Sequence, residues 1–385
     1  MGITIIGAGI SGLLTAFQLI NKNKDVTLIE KGKPISERII NLKDENSYYC
    51  PYGDGGRIFF NFKPFILDEI KDISFINILK TFNLYPSNNI VTINIMVDLI
   101  KDLHFYISER AKTHYNTEVI DFTEKHSKLS GVKLSNGTII EDDDFIFSFG
   151  NLNRLTYKKL LEKGGAISSL SSHLPLKISV KLTSFDEFEE WNRFIESKPF
   201  FAFKKHLFFI DEYQKTTKIV PIQTHNRLIS YENLSYNMIE YDDIPIINFN
   251  LNISLTQNNL SGFGKHTLRN FAFLSLIEAN QAEVKDKMLM SLDDFMDDNI
   301  YDSVLTPWLT ESFRIAFKYF FIDWKDNFLD RILIHGLSTA SLRAVQLTTD
   351  SDGRFLTYPN VKVVGNAKED FNSLKEKILK TLELK

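Results

Sequence analysis

The sequence predicts an α/β fold in which a parallel-sheet domain is divided between two distant segments, with a strand-rich α+β domain inserted between them. Three observations predict it. The stretch "ITIIGAGISGLLTAFQLI", residues 3–20, sets a GxGxxG spacing between an apolar β-branched run and a segment of helical apolar period. The stretch "DVTLIE", residues 25–30, reads as a second strand with an acid at its C-terminal end. Much later, "VKVVGNA", residues 361–367, is another apolar strand that meets a glycine and runs into a Lys-rich helix expected over 368–384.

Each element follows in order. Ile3 to Ile6 suit a strand buried on both faces, and Leu13, Leu14, Ala16, Phe17 and Ile20 mark the inner side of the helix that follows. Gly7 permits the tight turn between them, Gly9 lets a pyrophosphate approach the backbone, and Gly12 lets the helix lie close to the strand. The helix start offers unpaired N–H groups and the positive end of a dipole to phosphate. Glu30 stands about 20 residues beyond the glycines, where an acid accepts ribose hydroxyls and repels a 2′-phosphate. The segment 31–60 is turn-rich and mostly loop. A helix is expected over 64–84, from Pro64 through Phe65, Ile66, Ile70 and Ile73, and a more strongly amphipathic one over 94–113. Residues 117–150 alternate like strands, with "SNG" at 135–137 as a hairpin turn and "DFIFSFG" at 144–150 as an apolar strand. Strands follow at "LKISVKL", "HLFFI", "TKIVPI" and "INFNLNISL", and 268–322 reads as mainly helical.

Composition narrows the function classes. With 385 residues, 43% hydrophobic and 24% charged, the protein has enough apolar mass for a large core and two intertwined domains. A net charge of −4 gives no basic field for nucleic acid. The single cysteine, Cys50, excludes an intramolecular disulfide and any Cys-x-x-Cys pair, and fits a cytoplasmic location. The first apolar segment lacks a basic leader and a small-residue cleavage site, and no apolar run is long enough to suggest a membrane span. Phenylalanine is abundant, at 32 residues, but is spread throughout with Lys, Asn and Ile; codon bias accounts for this better than a dedicated aromatic pocket does. The eight histidines show no metal-ligand spacing on a helix, so no metal is expected.

With these motifs in hand, the sequence resembles the FAD-dependent oxidoreductases of the glutathione-reductase structural class. Their GxGxxG, strand-end Glu, mid-sequence A-T-G and late G-D-A correspond to "GAGISG", "LIEKG", "FSFG" and "VVGNA". More narrowly, "EKGKPISER" before "CPYGDGGRIFF", and "GNLNRLTYKKLLEKGGAI" before "LPLKISVKL", are similar to bacterial FAD-dependent dehydrogenases related to geranylgeranyl reductases. The resemblance implies a split Rossmann-like FAD-binding domain over 1–165 and 330–385, and a β-rich substrate domain over 166–329. It implies hydride transfer between a bound FAD and an unidentified organic substrate; if NAD(P)H reduces the flavin, it does so transiently in the substrate cleft. Asn366 stands where the class has Asp, and Phe149 where it has Thr; an amide at 366 still accepts a hydrogen bond. The absence of a WxWxIP stretch distinguishes the sequence from flavin halogenases, and the missing Pro after "GNA" from aromatic hydroxylases. Two alternatives stay open: an NAD-dependent dehydrogenase, and a flavin-binding protein without turnover.

The expected cofactor contacts are Gly7, Ala8, Gly9, Ser11, Gly12, Glu30, Lys31, Arg38, Gly55, Gly56, Arg57, Val119, Gly150, Gly365, Asn366 and Ala367. In "GDGGR", Gly53, Gly55 and Gly56 allow backbone to lie close to a cofactor, Arg57 offers charge to a pyrophosphate or a reduced flavin, and Asp54 is a candidate proton relay. The plainer reading of that loop is a solvated turn. Arg38 suits a phosphate or a surface ion pair equally well. His335, in "LIHGLST", is the third candidate for chemistry, set against a hydrogen-bonded histidine at a strand end. "SGFGKHT", 261–267, lacks the third glycine and the GK[ST] ending of nucleotide loops, so no second dinucleotide domain is expected. The expected partner is a small-molecule substrate, with no nucleic acid and no integral membrane segment; a peripheral membrane or protein partner stays open.

Overall fold

Thr4, Ile5 and Ile6 are shielded from solvent because the strand that carries them, β1 (Gly2–Ile6), lies in the middle of a parallel sheet with helices on one face and a second sheet on the other. In a computed structural model, the protein is described over residues 2–37, 40–41, 48–49, 65–67, 73–150, 153–170, 172–184, 186–197, 201–203, 206–216, 222–224, 227–229, 245–255, 269–284, 289–297, 300–322, 329–337, 345–368 and 374–382. Its contacts form two units, Met1–Leu170 with Val345–Lys385, and Ser171–Ala344.

The first unit is built on β1, then α1 (Ile10–Asn21) and β2 (Asp25–Ile29). Helices α2 (Ile73–Thr81) and α3 (Ile93–Ser108) lead to β3 (Lys112–His114) and then β4 (Asp144–Phe147). The late β5 (Val361–Val363) and α4 (Leu374–Leu382) complete it. The sheet order is β5-β4-β1-β2-β3, every pairing parallel. Leu13, Leu14 and Phe17 of α1 are buried against Leu99 and Leu103 of α3 and Ile378 of α4, each side chain contributing roughly 1.5–3 kcal/mol. Phe17, Phe82 and Tyr106 form an aromatic cluster with centroids 5.0 to 6.0 Å apart, and the Tyr106 hydroxyl donates to Asn21 Oδ1 at 2.7 Å.

The opposite face of the sheet carries the meander Val119–Lys125, Lys128–Leu134 and Ile139–Glu141, turned at Gly137 with φ +87° as the "SNG" spacing predicts. Phe122 and Phe355 lie against Phe147, 5.8 and 6.1 Å between ring centroids. Asn360 joins meander to sheet. Its amide donates to the carbonyls of Leu129 and Asp143, both at 2.8 Å, and its Oδ1 accepts from Leu129 N–H at 3.1 Å. This fixes the entry of the returning strand, which pairs Phe145 with Val361 and Phe147 with Val363.

The main sheet of the second unit is antiparallel, in the order Phe201–Phe203, His206–Thr216, Ile246–Leu255, Ser172–Lys181, Ile332–Leu337 and Met290–Ser291, and Ile222–Thr224 pairs with Arg227–Ile229 in a separate hairpin. Along Ile246–Leu255, Ile247, Phe249, Leu251 and Ile253 share one face by the two-residue strand period, and Asn248, Asn250 and Asn252 share the other. Phe249 meets Trp191 of the helix Asp186–Ser197 and Phe321 of the helix Pro307–Phe321, at 5.2 and 6.4 Å. Gln281 of the helix Arg269–Val284 exchanges amide hydrogen bonds with the backbone of Leu337, at 2.8 and 3.1 Å.

One expectation needs correction. The single helix expected over 64–84 is not formed: Phe65–Ile66 is a strand paired with Ile90–Val91, and helix begins at Ile73. The apolar spacing suited a helix, but a partner strand beyond that window takes the first residues. The segment 268–322 is mainly helical as expected, in Arg269–Val284, Leu292–Asp297, Ile300–Val304 and Pro307–Phe321, with a two-residue strand at Met290–Ser291. By contacts the first unit resumes at Val345, and Ile332–Leu337 is hydrogen-bonded between two strands of the second unit.

Candidate dinucleotide site

The glycine turn meets the steric demands read from its spacing. Gly7 has φ +101°, and a Cβ there would lie 2.8 Å from the backbone of Phe149. A Cβ on Gly12 would lie 2.0 Å from the Gly7 carbonyl oxygen, so only glycine lets α1 approach the end of β1 this closely. The Ser148 hydroxyl donates to the Gly7 carbonyl, and the Ile6 carbonyl lies 3.0 Å from it. The turn is thereby held from β4 as well. Gly9 is the N-cap of α1, extended at φ −67° and ψ 177°, with no side-chain cap, and the first turn of α1 holds no acid. A helix end with neither cap nor carboxylate directs backbone N–H groups and positive potential outward, which suits a diphosphate.

Glu30 closes the other side. Its Oε2 accepts from Ala8 N–H at 2.9 Å and its Oε1 from Gly32 N–H at 2.8 Å. Its own backbone is fixed by His114 and Thr117, through bonds of 2.8 and 3.1 Å. The carboxylate is thus tied to the middle of the GxGxxG turn. A carboxylate oxygen can accept more than one hydrogen bond. Lys31 follows in a bend, half-buried.

The third wall comes from the returning segment. Gly365 has φ +65°, and a Cβ on it would lie 2.7 Å from Ser11 Oγ. Gly365–Ala367 forms a single 3-10 turn, Ala367 is fully buried, and Thr381 Oγ1 is hydrogen-bonded to Ser11 Oγ at 3.0 Å. Ser11, within the expected set, is therefore the point where the opening and returning segments meet; Thr381 is a contact that the sequence reading missed.

The remaining expected residues divide. Val119 is buried at the start of the meander, and its carbonyl accepts from Thr156 Oγ1 at 3.4 Å. Among the described residues, nothing lies within 4 Å of a Cβ built on Gly150, so none of them requires glycine there. Phe149, in the place of a class threonine, joins an aromatic cluster, tilted against Phe147 and edge-on to Tyr157, 5.1 and 5.2 Å between centroids. Asn366 lies in the returning turn. His335 sits in the second unit's sheet, fully buried; desolvation first, and then the charge of Lys177, hold its imidazole well below the ordinary histidine pKa. Arg38, Cys50, Gly53, Asp54, Gly55, Gly56, Arg57 and the stretch 261–267 lie outside the described residues. Among the described residues, no group of three or more His, Cys, Asp or Glu is arranged to hold a metal ion, and no helix is long and apolar enough to cross a membrane.

Residues 5–68 match the family of NAD(P)-binding Rossmann-like domains. The α/β architecture, with its parallel Rossmann-like core and additional β-rich sheets, agrees with that match. No curated protein matches this sequence. Among solved structures, a protein described as a FAD containing monooxygenase from Photorhabdus luminescens subsp. laumondii TTO1 is 12% identical over 99% of the present protein and 85% of its own length, with a TM-score of 0.42. PqsL of P. aeruginosa in complex with 2-aminobenzoylacetate is 11% identical over 100% and 83%, at 0.39. The tetracycline destructase Tet(51) is 13% identical over 95% and 74%, at 0.37. At these scores the likeness decides neither fold nor function.

Proposed function

We propose that the protein is a FAD-dependent oxidoreductase that moves hydride between a bound flavin and a small organic substrate. The observation that carries this reading is the contact of Gly365 with Ser11, which completes the GxGxxG turn from a segment distant in sequence. A nicotinamide dehydrogenase can finish its cofactor domain in one block. Here the sheet is finished by β5, after the whole second unit, and the turn that follows it supplies a further wall. The resemblance of "GAGISG", "LIEKG", "FSFG" and "VVGNA" to the glutathione-reductase class, and the narrower one to dehydrogenases related to geranylgeranyl reductases, point the same way.

In this reading the first turn of α1 receives the diphosphate, Glu30 accepts the ribose hydroxyls, and the Gly365–Ala367 turn faces the remainder of the cofactor. A bound flavin supplies the redox chemistry, so no protein nucleophile or metal is required. The protein's part is to hold the carboxylate in place and to keep the turn rigid: the Ala8 and Gly32 N–H groups do the first, and the Ser148 hydroxyl does the second. Arg38, Arg57 and Asp54 extend the set, as phosphate partners and as a proton relay. NAD(P)H serves as a transient donor.

Anaerobic photoreduction of the flavin-loaded protein, followed by admission of oxygen or an organic acceptor, tests the enzymatic claim. Return of the oxidised spectrum within turnover times supports it. A flavin that stays reduced with every acceptor class assigns the cofactor a structural role.

A further inference from the structure

We infer that the outer face of the helix Pro307–Phe321 pairs antiparallel with the same face of a second copy of this protein. The inference lies within the second unit and is independent of the cofactor reading.

This helix is apolar on two sides. Its inner side lies against the sheet, where Phe313 meets Phe208 and Phe321 meets Phe249, 6.0 and 6.4 Å between centroids. Its outer side carries Trp308, Tyr319 and Ile322, which are 38%, 55% and 74% exposed, with half-buried Ile315 between them. Ile322 caps the helix and keeps helical angles, φ −58° and ψ −30°. With about 100° of turn per residue, Trp308, Tyr319 and Ile322 leave the helix within about 40° of the direction of Ile315. The helix Asp186–Ser197 packs on the same face of the sheet, through Trp191, and differs: it exposes Glu189, Glu190, Arg193 and Glu196. An apolar stripe on the outside of one surface helix, beside a neighbour that exposes charge, marks a face covered in an assembly.

The order of residues in the stripe identifies the occupant. Trp308, Ile315 and Ile322 recur at seven-residue steps, the repeat of a helix pair. A two-fold axis at the level of Ile315 sets Trp308 of one copy opposite Ile322 of the second copy, and Ile315 opposite itself. The exposed charges obey the same symmetry. Glu311 and Lys318 lie on one flank of the stripe, four residues before Ile315 and three after it, so each Glu311 meets Lys318 of the other copy. A parallel pair leaves these opposite charges about 10 Å apart along the axis. The seam from 308 to 322 is about 21 Å long, at the small end for a specific interface, so association in the micromolar range is expected.

The test is sedimentation equilibrium of the full-length wild type, Ile322→Asp, Glu311→Lys, Lys318→Glu and the double reversal Glu311→Lys/Lys318→Glu. The wild type is expected to form a dimer with a dissociation constant of about 10 μM. Ile322→Asp puts a charge into the apolar seam and is expected to weaken the dimer at least about a hundredfold. Each single reversal sets like charges together at both ends of the seam and is expected to weaken it about tenfold. The double reversal is expected to return it to within about threefold of the wild type. Thermal melting is the folding control, and the reversal cycle, confined to exposed residues, stands without Ile322→Asp if that variant does not fold. A wild type that stays monomeric at about 200 μM overturns the inference. So does a dimer indifferent to Ile322→Asp and to both single reversals, which would use another surface. A double reversal as weak as the single ones overturns the antiparallel pairing and the inference with it.

Discussion

The two units differ in their most demanding contacts. In the first, the demanding contacts are made by backbone: Gly7 and Gly12 bring one stretch of backbone against another, and the Glu30 carboxylate is held by two backbone N–H groups. In the second, side chains do it. Ser179 donates to Asn248 at 2.5 Å, the Asn252 amide donates to the carbonyls of Phe209 and Asn250 at 3.4 and 3.3 Å, and Glu187 pairs with Arg331 through bonds of 2.7 and 2.9 Å. Backbone crowding tolerates only glycine, so it leaves a fixed spacing in the sequence. Pairing between side groups admits many solutions and leaves none.

Substitutions break this comparison most sharply at Gly12. Gly12→Val sets a Cβ 2.0 Å from the Gly7 carbonyl oxygen, where backbone must shift. It is expected to cost about 3 kcal/mol of stability and to abolish dinucleotide binding, as read by chemical denaturation and by titration with FAD. A variant that melts and binds like the wild type removes the steric account of the turn.

Next in size is the ion pair of the second unit. Glu187 is held at a pKa of about 2, chiefly by its hydrogen bonds to Arg331, with Thr183 N–H and hydroxyl adding to the effect. A carboxylate whose folded pKa lies below its unfolded value of 4.5 stabilises the fold above that value. That stability is lost as pH falls from about 4.5 through about 2. Glu187→Ala leaves Arg331 without this partner and is expected to cost about 2 kcal/mol at neutral pH, with a flatter acid limb in a melting-temperature profile. An unchanged acid limb would assign the low-pH loss to other carboxylates.

The smallest effect is expected at Gly150. No atom of the described residues lies within 4 Å of a built Cβ, so Gly150→Ala is expected to change stability by less than about 0.5 kcal/mol. This sharpens the contrast within the first unit, since the glycine that ends "FSFG" and the two that frame the turn read alike in sequence. A loss of flavin binding without a loss of stability in Gly150→Ala would mean that the glycine serves the ligand rather than the turn.

These cases show what was legible. The strand–turn–helix at 3–20, the acid at 30, the hairpin at 135–137 and the late strand at 361–363 were readable because each is fixed by local chemistry: strand period, turn residues and glycine spacing. The strand at Phe65–Ile66 was not, because its partner, Ile90–Val91, lies outside any local window and the same residues also fit a helical period. The alternation in "INFNLNISL" gave the strand but not the burial of Asn248, Asn250 and Asn252, since asparagine normally marks an outward face. The burial of Lys377 on α4 was hidden for a related reason: a lysine in a Lys-rich helix reads as solvated, and only the approach of α4 to Ser11 places it inside.

The central claim is that the opening glycine turn, Glu30 and the returning Gly365 turn enclose one adenine dinucleotide, and that this dinucleotide is FAD. Titration of the purified protein with FAD, followed by flavin absorbance and fluorescence, tests it most directly. The account predicts saturable uptake of one FAD per molecule, displaced by ADP and lost in Gly12→Val. A protein that carries no yellow chromophore and takes none up, under conditions where it is folded, contradicts it.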